Sequence, residues 1–189
     1  MTKHYTPKKI NLRWALACGL ATLSVGLLTH AAHAEALKDN PPERQAFERF
    51  AVLSCGLTAE QVKQMKTPDW NTLRLALSDV VSKPSSFFFE QAGVKFDPDN
   101  PVLLQPITAD AGHVISEIKL EVPDVGATDI MASLPTTEQR SEFITMNCTG
   151  LSKTELARLS VPDWNHLQGR LNAFLNEPAD SFLVETSKS

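Results

Sequence analysis

The tetrapeptide Pro-Asp-Trp-Asn occurs twice, at Pro68 to Asn71 and at Pro162 to Asn165, and each occurrence sits in a longer string of matched residues. In the first string Phe50, Cys55, Gly56, Leu57 and Thr58 lead to the motif, and Leu73, Leu77, Pro84 and Phe88 follow it. In the second, Phe143, Cys148, Gly150, Leu151 and Ser152 lead, and Leu167, Leu171, Pro178 and Phe182 follow. From Gly56 and Gly150 onward the spacing is a constant 94 residues, and Thr149 reads as one extra residue beside the second cysteine. Residues 46–88 and 139–182 thus read as two copies of one unit, which constrains the fold more than any other feature.

Each unit is punctuated as three helical pieces. Phe47, Phe50, Ala51 and Leu53 give the first piece an apolar face, as Phe143, Ile144 and Met146 do in the second copy. Gly56 and Gly150 stand where a helix end favours a left-handed residue. A capping box, Thr58 with Gln61 and Ser152 with Glu155, opens the next helix, and a proline stops it after about two turns. Pro68 and Pro162 occupy the start of a third helix, with Asp69 and Asp163 suited to its positive end. Trp70, Leu73, Leu77 and Val80 share one face of it, as do Trp164, Leu167, Leu171 and Phe174, which is core spacing.

Between the copies, Asp97 to Pro101 reads as a loop, and Val102 to Ile107 can pair with Val114 to Val122 across a turn at Asp110 to Gly112. Ile118, Leu120 and Val122 alternate with Lys119 and Glu121, so the second strand has one wet face. Phe87, Phe88, Phe89 and Phe96 are the densest aromatic cluster, readable as core beneath the hairpin or as a surface for a partner. The expected class is mainly α, two small three-helix units with a β-hairpin between them, α+β overall.

The first 34 residues read differently. Lys3, Lys8, Lys9 and Arg13 precede an uncharged run from Trp14, and Ala32, His33 and Ala34 end it. That order is the order of a secretory leader cleaved to leave Glu35 first. The expected divisions are 1–34 as leader, 35–96 as the first helical unit, 97–123 as loop and hairpin, and 124–189 as the second helical unit. Processing would send the protein to the periplasm and move its net charge from −4 to −8 by removing those four basic residues. Either charge argues against nucleic acid as a partner. Cys55 and Cys148 fall at matching places in the two copies, so export would allow a disulfide between them; otherwise they are two small buried residues.

Little in the sequence points to catalysis. His113 and His166 are the histidines beyond the leader, far apart and not spaced with either cysteine as metal ligands, and each reads as a lone surface histidine. No phosphate-binding glycine loop or serine elbow is present. No catalytic residue, metal or cofactor is therefore expected, and the chain does not read as an enzyme.

The residues from Val102 onward do resemble a family. Val102 to Pro106, then Ile118, Leu120 and Pro123, then Thr149 to Ser152, Glu155, Leu156, Leu159, Asp163, Trp164, Leu167 and Gln168 resemble the small tail assembly chaperones of Mu-like and related tailed phages. The resemblance implies a non-catalytic, bacterial or prophage protein that binds the tape-measure protein and keeps it soluble until tail-tube subunits surround it, in the host cytoplasm. Under it, Trp70, Trp164, Phe87, Phe88 and Phe89 are the candidate partner contacts. The alternative is an exported two-unit binding module bridged by Cys55 and Cys148. Ile10 to Arg13 also resemble Ile118 to Glu121, which leaves open that the first residues hold the strand half of the first unit rather than a leader.

Overall fold

The structure, a computed structural model, describes residues 4–182. Strands β1 (Lys8–Asn11) and β2 (Thr22–Val25) pair antiparallel, with Ile10 opposite Leu23. Helices α1 (His30–Leu37), α2 (Glu43–Cys55), α3 (Ala59–Gln64), α4 (Thr67–Ser82) and α5 (Ser85–Gln91) follow. A second antiparallel pair, β3 (Val102–Thr108) and β4 (Val114–Glu117), is followed by α6 (Val125–Ser133), α7 (Thr137–Thr149), α8 (Lys153–Arg158) and α9 (Val161–Asn176), with a closing 3-10 turn at Ala179–Phe182. The protein is mainly helical with two small two-stranded sheets, α+β overall.

A hairpin therefore precedes each set of helices, whereas the sequence pattern placed one only between them. The strand pair at the N-terminus also corrects the comparison of Ile10 to Arg13 with Ile118 to Glu121. Ile10 belongs to a first strand and Ile118 follows a second one, so the matching element is β3. Helices α1 and α6, neither expected, start at N-caps Thr29 and Asp124, whose side chains accept from Ala32 and Ala127.

Helices α2 and α7 each have 13 residues, α3 and α8 each have 6, and α4 and α9 each have 16. Gly56 and Gly150 both end their helices at φ 68° and donate to the carbonyls of Val52 and Met146. Both capping boxes form. With the caps aligned, the 94-residue spacing runs back through α2 and α7 without an insertion at Thr149. Phe50 then matches Ile144, Ala51 matches Thr145, and Cys148 matches Ser54 rather than Cys55. Cap geometry fixes this register, because a one-residue slip would rotate each apolar face by about 100° out of the core.

Two apolar clusters form. The first joins Phe50, Ala51, Leu73, Leu77 and Val80 to Ile10, Leu12, Leu16, Leu23, Val25 and Leu28 from the N-terminal segment. The second gathers Leu103, Ile107, Ile118 and Leu120 from the hairpin region with Ile144, Leu159, Leu167 and Leu171. Leu23 and Val25 point inward while Thr22 and Ser24 stay wet, so the uncharged run read as a leader carries strand alternation. Ala32 to Ala34, read as a cleavage site, lie in α1, where His33 stacks on Phe50 at 5.1 Å between ring centres. Among the described residues no helix is long and apolar enough to cross a membrane.

The units meet along α9. Helices α4, α5 and α1 of the first unit pack on it, and α1 also packs on α8. At the joint, Val161 N–H donates to the Leu28 carbonyl at 2.9 Å and His30 N–H to the Leu159 carbonyl at 2.7 Å.

Candidate interaction surfaces

The motif aspartates work as struts. Asp69 accepts from the backbone N–H groups of Arg13 and Trp14, and Asp163 accepts from that of Leu104. Each carboxylate sits in the first turn of a long helix and holds hairpin backbone there, the segment just after β1 in the first unit and the interior of β3 in the second, which uses both the helix dipole and otherwise unpaired backbone donors. Asp163 is buried, and burial pushes its carboxyl up to about 6 despite hydrogen bonds from the Ser160 hydroxyl and the Leu104 and Gln105 amides. The capping glutamate Glu155 has a second task, accepting from Asp110 N–H at 2.9 Å and so tying α8 to the hairpin turn.

The two tryptophans part company. Trp70 is 7% exposed and belongs to the first core. Trp164 is half-buried, and the His30 ring stacks on it at 3.9 Å between centres and 20° between planes. Burial lowers the pKa of His30, and its buried Nδ1 has no hydrogen-bond partner. Trp164 is thus occupied at the joint between units.

Of the phenylalanines, Phe89 is 3% exposed, and its ring meets Phe96 and His4. Phe87 and Phe88 are half-buried; Phe88 stands edge-on to Tyr5, and Lys83 lies over the Phe87 ring. Helix α5 packs on α9, which places this cluster at the joint, and the amide of His4, whose ring meets Phe89, donates to the Leu104 carbonyl of β3. His166, expected on the surface, is 9% exposed, meets Phe96 edge-on and lies 3.0 Å from the Pro98 carbonyl through Nε2. His113 is exposed.

Cys55 and Cys148 are free thiols that the structure does not bring together. Cys55 packs against the first cluster and Cys148 lies inside the second, where burial pushes its thiol up to about 11. Among the described residues no group of histidine, cysteine or acidic side chains is arranged to hold a metal ion.

The open apolar surface lies elsewhere. A groove of about 690 Å³ runs between α1, α2 and α3, floored by Ala36, Val52 and Ala59 and flanked by Leu53, which is 50% exposed. Its rims carry Glu35, Lys38, Glu48, Arg49 and Lys63. Arg49 fixes one wall by donating to the Ala36 carbonyl at 2.8 Å. A second open patch surrounds α6, where Val122, Val125 and Ile130 are 67%, 77% and 55% exposed. Sequence reasoning missed both surfaces because α1 and α6 were not recognised as helices. The signal was present in Thr29 and Asp124, good caps each followed by a run without proline.

Residues 100–176, spanning β3 to the end of α9, match a family model described as phage tail assembly chaperone proteins, E, or 41 or 14. Neither a curated protein nor a solved structure matches the chain. The matched stretch holds the strand pair, the glycine-terminated helix, the capping box and the aspartate strut described above, and over it the chain is similar to the phage tail assembly chaperone family.

Proposed function

We propose that the protein is a non-catalytic tail assembly chaperone whose partner is the tape-measure protein, held along the groove between α1, α2 and α3. The family match over residues 100–176 carries the reading. The groove supports its location, because mixed charges at the rim and an apolar floor suit one amphipathic helix of a long, otherwise insoluble partner. Trp70 and Phe89, being buried, are set aside as contacts in favour of Leu53 and its neighbours.

The same reading keeps residues 8–37 in the working protein and places it in the host cytoplasm. Seven of their apolar side chains are buried in the first core, and removal up to Ala34 would take β1, β2 and more than half of α1 with it. The placement of Cys55 and Cys148 in separate clusters, with no disulfide between them, suits that compartment.

Co-expression with a tape-measure protein from the same phage tests the proposal. Recovery of a soluble complex that Leu53→Lys weakens is the expected result. A tape-measure protein that stays insoluble, or binds both forms alike, would overturn the assignment of partner or groove.

A further inference from the structure

The joint between the units is one-sided. The Leu28 and His30 backbone bridges to Val161 and Leu159, with Thr29 opposite Ser160, and the Asn165 amide reaches the Val81 and Lys83 carbonyls at 3.2 and 3.3 Å. A two-fold contact would repeat these bonds in reverse. Pro123 and Val125, flanking the N-cap Asp124 as Leu28 and His30 flank Thr29, would meet Thr67 and Met65, and Asn71 would reach Leu175 and Glu177. None of these bonds forms among the described residues. The contact is therefore heterologous, and a chain of two units joined this way keeps one unused patch of each kind.

Burial shows both patches. Leu28, Leu159 and Val161 are 3%, 0% and 1% exposed where the joint is closed. Of their counterparts Thr67 is exposed, Pro123 half-buried and Met65 8% exposed, and around them Val122, Val125 and Ile130 are 67%, 77% and 55% exposed and Lys66, Pro68 and Asn71 are exposed as well. The charges are complementary. The patch on the second unit carries Glu121, Asp124 and Asp129, and that on the first carries Lys63 and Lys66, all exposed. Asp124 and Lys66 are the counterparts of the bridge partners Thr29 and Ser160, so an acid would face a base across the new joint.

We propose that a second copy of this chain fills these patches head to tail, residues 121–130 of one copy docking at the α3–α4 elbow of the next. Val125 N–H then donates to the Met65 carbonyl and Thr67 N–H to the Pro123 carbonyl. Repetition builds a row of units that grows with concentration, or a ring where the rotation closes.

Light scattering coupled to size-exclusion chromatography of the full chain tests this across a concentration series. The wild type is expected to grow beyond a dimer as concentration rises. Val125→Lys spoils one patch and Lys66→Glu the other; both positions are exposed, so thermal melts should match the wild type. Each variant alone is expected to stay monomeric, and mixing them to restore association, since each still holds the patch the other has lost. A wild type that remains monomeric, a variant that assembles like the wild type, or a mixture that stays monomeric would each overturn the proposal.

Discussion

Asp69 holds Arg13 from 56 positions away in the chain: its Oδ1 accepts the Arg13 amide at 2.9 Å while its Oδ2 accepts the Trp14 amide at 3.1 Å. Two backbone donors on one buried carboxylate make a charge-assisted clamp, worth about 1.5–3 kcal/mol per bond when a partner is lost. Asp69→Ala is expected to lower unfolding stability by about 3 kcal/mol. Asp69→Asn, which keeps one acceptor, should lose roughly half as much. Urea denaturation of the three proteins checks both values, and equal stability of Asp69→Ala and wild type would show that the clamp is idle.

Deleting residues 1–34 removes Ile10, Leu12, Leu16, Leu23, Val25 and Leu28 from the first cluster. At about 1.5–3 kcal/mol for each buried side chain, the loss matches or exceeds the roughly 5–15 kcal/mol by which a domain is stable. The truncated chain is expected to lose cooperative unfolding of its first unit, read by calorimetry. The intact mass of full-length protein from a Gram-negative host is expected to retain these residues, with no increase on reduction.

Acidity acts on the joint in two opposed ways. The folded-state value of Asp163, about 6, lies above its ordinary 3.8. Its contribution to stability is therefore present at low pH and is lost as pH rises through about 6. Burial lowers His30, His33 and His166 below their ordinary 6.5, so their contribution is present above that value and is lost as pH falls through their folded values. Urea midpoints across a pH series should show both slopes. Asp163→Asn is expected to remove the first and His30→Phe to weaken the second, and pH profiles unchanged in both variants would contradict the scheme.

Gly150 sits at φ 68° with open space where a Cβ would project. Gly150→Ala should therefore cost only the backbone strain of a left-handed alanine, about 1 kcal/mol. A thermal melt lowered by a few degrees is the expected result, and a collapse of folding would mean that the site has a packing role as well.

The sequence determined much of this protein through its local rules. The spacing of Gly56, Thr58, Pro68 and Asp69, repeated at Gly150, Ser152, Pro162 and Asp163, specifies where helices begin and end, because caps and breakers act within a turn of themselves. The second hairpin was legible from the turn at Asp110 to Gly112, although its second strand stops at Glu117 and the alternating residues Ile118 to Glu121 lie beyond it. The family resemblance rested on these same residues.

What the tertiary structure decided lies beyond that range. An uncharged run such as Trp14 to Leu28 is apolar enough for a translocon or for a core, and the sequence holds no sign of the packing against α2 and α4 that its hairpin makes in the structure. Trp70 and Trp164 occupy the same position in the same motif, yet one is enclosed by its own unit and the other is covered by His30 of the neighbouring unit. Periodicity tells which face of a helix is apolar but not which element covers it. That choice depends on contacts between residues far apart in the chain, and here it set the joint between the units, the placement of the two cysteines in separate clusters, and the groove left open between α1, α2 and α3.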